Sequence, residues 1–150
     1  MSSNQPVHRI AIVGTGVIGA SWAAYYLSRG FDVVATDPGP QAEANLRKYV
    51  DEAWPLLTQA GLSLGASRDR LTFSPDMSRA LSKADWVQEN APERPDFKIK
   101  LFAQMDEATP PTPDGPARSN DEDARYARDH AATETDGRRC RAKGGRRTIR

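Results

Sequence analysis

Gly14, Gly16 and Gly19 stand at the spacing G-x-G-x-x-G directly after the apolar run His8-Arg-Ile-Ala-Ile-Val13, and Asp37 lies eighteen residues beyond the last of them. Glycines at this spacing suit the binding of two linked phosphates. Gly14 permits a tight turn, Gly16 lets backbone approach a pyrophosphate that any Cβ would obstruct, and Gly19 allows a helix to pack closely on a strand. A helix opening near Val17 directs its unpaired N–H groups and positive dipole end at the phosphates. Thr15, Val17 and Ile18 therefore join the three glycines as expected contacts. Asp37 would accept hydrogen bonds from the hydroxyls of an adenosine ribose. The same carboxylate repels a 2′-phosphate, and Pro38-Gly39-Pro40 offers no neighbouring arginine, so NAD is favoured over NADP. FAD-binding sites use a similar turn and acid, and the residues alone leave FAD open.

Such a site needs strand, helix and strand in close succession. The run from His8 to Val13 is rich in β-branched residues and stops at Gly14, the pattern of a strand buried on both faces of a parallel sheet. A helix from Val17 to Arg29 is expected to carry Ile18, Ser21, Trp22, Tyr25 and Tyr26 on one face, with Gly30 at its C-cap. Phe31 to Thr36 forms the second strand, completing a βαβ unit within about thirty residues. Pro40 to Ala60 reads as a long helix with Leu46, Val50, Ala53 and Leu57 on one face, bent or divided at Pro55. Leu71 to Phe73 is a short strand, and Ser74-Pro75 reads as an N-cap with proline at the first helical position of a helix ending at Leu81. A strand over Asp85–Asn90 and a helix from about Asp96 to Glu107, with Phe97, Leu101 and Met105 on one face, complete the pattern. The expected fold is α/β, a Rossmann-type doubly wound parallel sheet of four strands in the order three, two, one, four. Nothing is expected beyond strand four, which would leave the edge at Trp86 and Val87 uncovered.

After Met105 the composition changes. The remaining residues contain no Val, Leu, Phe or Met, and 112–150 hold ten Arg or Lys and seven Asp or Glu. Too little apolar surface is present to offset the entropy of ordering. The domains expected are a partial dinucleotide-binding domain over 1–111 and a disordered low-complexity tail over 112–150. Over the whole chain 21 basic residues face 20 acidic ones, so no overall field points to nucleic acid or membrane. The basic run Arg138 to Arg147 lacks the interleaved aromatics of base recognition, and no specific nucleic-acid partner is expected. Cys140 is the only cysteine, which excludes an intrachain disulfide and a zinc site of paired cysteines. No metal site is expected. The most apolar stretch, Ile10 to Ala24, is broken by Gly14, Gly16 and Gly19, which argues against a membrane span, and the N-terminus lacks a signal-peptide pattern, so a cytoplasmic location is expected.

The glycine loop with Asp37, and the stretch Ala84-Asp-Trp-Val-Gln-Glu-Asn-Ala-Pro-Glu-Arg-Pro-Asp-Phe-Lys98, resemble the NAD-binding domain of the 3-hydroxyacyl-CoA dehydrogenase family, and within it the L-carnitine dehydrogenases. Ala53-Trp54-Pro55 and the stretch from Ala66 to Phe73 add to the carnitine-type likeness, which runs from about Arg9 to Pro111. The resemblance implies NAD as cofactor, a small hydroxy substrate, and homodimeric full-length relatives. It also implies that Glu93 lies close to the nicotinamide with Lys98 nearby. Read from spacing alone, Glu93 and Lys98 are a solvated pair of charges at a helix start, and Glu89 either ends a strand at the cofactor edge or touches the cofactor.

The family's further strand, serine-rich turn, and histidine paired with a carboxylate are not found in this sequence. His8 precedes the first strand on the side away from a Rossmann ligand, and His130 sits in the tail without apolar context. Neither is placed to take a hydroxyl proton while hydride goes to nicotinamide, so no residue is assigned a catalytic role. The likeness ends near Pro110-Pro111, where the chain turns to Arg, Asp, Gly, Ala and Pro. An out-of-frame reading of a GC-rich coding sequence gives such a composition, and comparing the reading frames beyond that point tests the idea.

Overall fold

β1 (Arg9–Val13) is the centre of the sheet, and its residues alternate between two cores. Ile10 and Ile12 face one side and Ala11 and Val13 the other, all of them buried. A computed structural model describes residues 6–91, 95–108 and 118–119. Following β1 come α1 (Val17–Ser28), β2 (Asp32–Thr36), α2 (Ala42–Ala60), a short 3-10 turn (Arg68–Arg70), β3 (Leu71–Phe73), α3 (Met77–Leu81), β4 (Trp86–Glu89), α4 (Pro95–Ala108) and β5 (Arg118–Ser119). The strands are parallel in the order β3-β2-β1-β4-β5.

Helices cover both faces. On the first, Ala20, Ala23, Ala24 and Leu27 of α1 and Leu46 and Val50 of α2 pack on Ile10, Ile12, Val33 and Ala35. On the second, Leu81 of α3 and Leu101, Phe102 and Met105 of α4 pack on Ala11, Val13 and Val87. This is the layering that parallel strands buried on both faces require. β1 and β2 pair from Arg9 opposite Asp32 to Val13 opposite Thr36, and Val13 also lies opposite Glu89 of β4. The order reverses at β1, between β2 and β4. In open α/β sheets that is the point where ligands bind, at the carboxyl ends of the strands.

The parallel sheet and its first four strands agree with the sequence reading, and four details differ. The buried face of α1 is Gly19, Ala20, Ala23, Ala24, Leu27 and Ser28, not the expected Ile18, Ser21, Trp22, Tyr25 and Tyr26. Close approach of helix to sheet favours small side chains over most of the contact, Leu27 apart, and Trp22 and Tyr26 pack along its margin instead. The expected N-cap at Ser74 with Pro75 opening the helix is replaced by Asp76, whose carboxylate accepts the N–H groups of Ser78 and Arg79 at 2.9 and 3.3 Å. Pro55 does not divide α2, which runs through it as one helix.

The fourth difference concerns the sheet edge. β5 pairs with β4, setting Arg118 opposite Trp86 and Ser119 opposite Val87, so the edge expected to be uncovered carries a short fifth strand. The remainder of the tail lies outside the described residues. Gly30 is the residue after the C-cap, with φ of +87°. Its N–H donates to the Leu27 carbonyl at 3.1 Å and that of Phe31 to the Tyr26 carbonyl at 3.2 Å, closing α1 in a Schellman motif.

Candidate dinucleotide site

Gly14 leaves β1 with φ of +85°, and its N–H donates to the Thr36 carbonyl at 3.0 Å, so the loop begins bonded to the end of β2. An added Cβ there would lie 3.2 Å from the Asn90 backbone at the end of β4. Gly19 is more constrained. Its Cβ would stand 1.9 Å from the Gly14 carbonyl oxygen, so the first turn of α1 reaches the loop only because no side chain intervenes. Gly16 is the opposite case, since a Cβ there would meet nothing within 4 Å.

This open position is the N-cap of α1, and no side chain caps it. The first N–H groups of a helix have no intrahelical partner, and a glycine cap supplies no acceptor for them. Val17 and Ile18 are 73% and 67% exposed although apolar, and they flank the same opening. An uncapped helix start, free of side-chain bulk, offers N–H donors and a positive dipole end to an anion. The residues therefore fit a pyrophosphate, which would supply the acceptors the cap lacks and take the space a Cβ would fill.

Asp37 follows β2 and holds the loop. Its Oδ2 accepts the Thr15 N–H at 2.8 Å and the Thr15 hydroxyl at 3.2 Å, and its Oδ1 accepts the Gly39 N–H at 2.8 Å. A carboxylate oxygen accepts two hydrogen bonds, so Oδ1 retains capacity for a ribose hydroxyl. This loop-anchoring bond to Thr15 was not legible in the sequence, because it joins positions twenty-two residues apart.

On the other side of β1, Glu89 and Lys98 form a buried ion pair, Oε2 to Nζ 3.6 Å, with side chains 1% and 7% exposed. Lys98 is thus not a solvated charge, and its partner comes from the end of β4. The other Glu89 oxygen accepts the Ala91 N–H. On the opposite face of β4, Gln88 receives the Tyr26 hydroxyl at 3.4 Å, and burial raises that phenol above its ordinary pKa. Glu93 lies outside the described residues. His8 is exposed before β1, at the end of the sheet opposite the loop, and His130 lies outside the described residues. Among the described residues no group of three or more His, Cys, Asp or Glu could hold a metal, and no helix is long and apolar enough to cross a membrane.

Residues 9–113 match the NAD-binding domain of 3-hydroxyacyl-CoA dehydrogenase. The chain belongs to this family. NAD is accordingly the cofactor of this NAD-binding domain, and the FAD alternative is set aside. The chain is 51% identical over 111 residues to the L-carnitine dehydrogenase of Streptomyces coelicolor, a match covering 74% of this chain and 35% of that protein. To the L-carnitine dehydrogenase of Streptomyces griseus it is 52% identical over 106 residues, covering 71% and 32%. The solved 3-hydroxybutyryl-CoA dehydrogenase of Escherichia coli K12 superposes with a TM-score of 0.62 at 31% identity, covering 71% of this chain and 23% of that one. The chain spans about a third of the length of the curated relatives it matches.

Proposed function

We propose that Gly14, Thr15, Gly16, Val17, Ile18 and Gly19 hold the pyrophosphate of NAD and that Asp37 holds its adenosine ribose. By the family resemblance, Glu93 and Lys98 are proposed to serve the nicotinamide half. The observation that carries this is the uncapped start of α1, where a Cβ on Gly16 would meet no atom within 4 Å, beside the carboxylate of Asp37. The bound cofactor supplies a hydride acceptor. The chain's own residues bind and orient it: helix N–H groups toward the phosphates, the Asp37 carboxylate toward the ribose hydroxyls.

The reaction proposed for the whole protein is NAD-dependent oxidation of a 3-hydroxy compound to the 3-oxo product. L-Carnitine is the preferred substrate, given the identities above, and an L-3-hydroxyacyl-CoA the second candidate. The 1–111 region would serve as the cofactor half, with 112–150 as a tail. Proton transfer from the substrate hydroxyl needs a base within hydrogen-bond reach, and His8 stands at the far end of the sheet from the loop. We propose that this chain binds NAD without completing the reaction.

Fluorescence titration of the 150-residue chain with NAD, followed by an absorbance assay for NADH with L-carnitine and then 3-hydroxybutyryl-CoA, tests both parts. Saturable NAD binding with no NADH is expected. NADH formation by this chain alone would overturn the incompleteness, and absence of NAD binding would overturn the site.

A further inference from the structure

One buried carboxylate joins three parts of the cofactor edge. Glu89 ends β4 opposite Val13, and its Oε2 stands 3.6 Å from the Lys98 ammonium in the first turn of α4. Its second oxygen accepts the Ala91 N–H. Between these, Asn90 donates its N–H to the Val13 carbonyl at 2.9 Å, and its backbone lies where a Cβ on Gly14 would press. Strand end, turn, helix start and glycine loop thus meet around Glu89.

Burying two charges costs free energy that a well-packed apolar pair would not. The other ion pairs between described residues, Arg47 with Glu43, Lys48 with Glu52, Arg68 with Asp51 and Arg70 with Asp32, are all largely exposed. The buried pair lies at the carboxyl ends of β1 and β4, on the opposite side of β1 from Asp37. A dinucleotide laid across the point where strand order reverses carries its adenosine over β2 and its other half over β4.

We infer that Glu89 is a positioning residue for the nicotinamide half of NAD, fixing the Lys98 ammonium and the turn after β4 without touching the cofactor. This rests on the cofactor site proposed above. The charge of Glu89 holds Lys98 in one place, and its second oxygen holds the backbone of Ala91 in register with the loop. Loss of the charge should therefore weaken binding of the half that lies over β4 and spare the half that lies over β2.

The test compares NAD with ADP-ribose, which keeps the pyrophosphate and adenosine and lacks the nicotinamide. In the 150-residue chain, Glu89→Gln keeps an oxygen for the Ala91 N–H but removes the charge. It is expected to raise the Kd for NAD by about tenfold or more, the loss of one contact to a charged group, and to leave that for ADP-ribose within about twofold. If Glu89→Gln does not fold, Glu89→Asp, which keeps the charge but draws it back from the Lys98 ammonium, is expected to show the same selective loss. Equal weakening of both ligands in a folded variant, or no weakening of NAD, would overturn the inference. Failure of the unaltered chain to bind ADP-ribose would instead overturn the cofactor site on which it rests.

Discussion

The three glycines of the loop make different demands, and single substitutions should separate them. A methyl group at Gly19 would press on the Gly14 carbonyl, a backbone atom that cannot swing aside, whereas one at Gly16 would meet nothing. Gly19→Ala is therefore expected to cost about 3 kcal/mol or more in urea unfolding. Gly16→Ala should stay within about 1 kcal/mol of the parent, because its extended backbone, with φ of −60° and ψ of −173°, suits alanine. Yet Gly16→Ala should abolish most NAD binding, since its methyl fills the space proposed for the pyrophosphate. A folded Gly16→Ala chain that binds NAD normally would remove the pyrophosphate from that position. The turn at Gly14 and the close packing at Gly19 were legible as a spacing. The pairing of Glu89 with Lys98 was not, because it joins a strand end to a helix and follows neither the period of a strand nor that of a helix.

At the level of elements, β1, α1 and β2 could be read from a β-branched run, a glycine turn and a second apolar run, since local pattern and tertiary burial agree there. The burial face of α1 could not. The aromatic stripe Trp22, Tyr25 and Tyr26 has helical spacing, but the sheet lies too close for it and selects Ala20, Ala23 and Ala24 instead. The start of α3 was misplaced because Pro75 and Asp76 both carry N-terminal signals, and the carboxylate of Asp76 satisfies two N–H groups where proline satisfies none. Two consequences can be measured. Pro55 is exposed within α2 and leaves one helix hydrogen bond unmade, so Pro55→Ala should raise stability by about 1 kcal/mol after the gain in unfolded-chain entropy is deducted. Among the described residues, the buried indole N–H of Trp86 has no acceptor. Trp86→Phe removes that donor and should leave the denaturation midpoint nearly unchanged, within about 1 kcal/mol, and a loss well beyond that would show that the indole N–H has a partner.

The molecule as a whole is a sheet with a core on each face and its binding edge where the strand order turns about β1. Asp37 stands on one side of that turning point and the Glu89–Lys98 pair on the other, so the two halves of a dinucleotide laid there would meet different chemistry. The family was legible in the sequence through the loop and the stretch ending at Lys98, and residues 9–113 match it. The two-residue β5 was not, because Arg118 and Ser119 carry no apolar pattern. The central claim is that the loop and Asp37 hold NAD. Calorimetric titration of the chain with NAD and with NADP tests it most directly, run on the unaltered chain and on Asp37→Ala. NAD is expected to bind at least about tenfold tighter than NADP, one lost charge contact apart, and in the variant NAD affinity should fall and that difference narrow. Equal affinity for the two dinucleotides in the unaltered chain, or an Asp37→Ala chain that binds NAD as before, would contradict it.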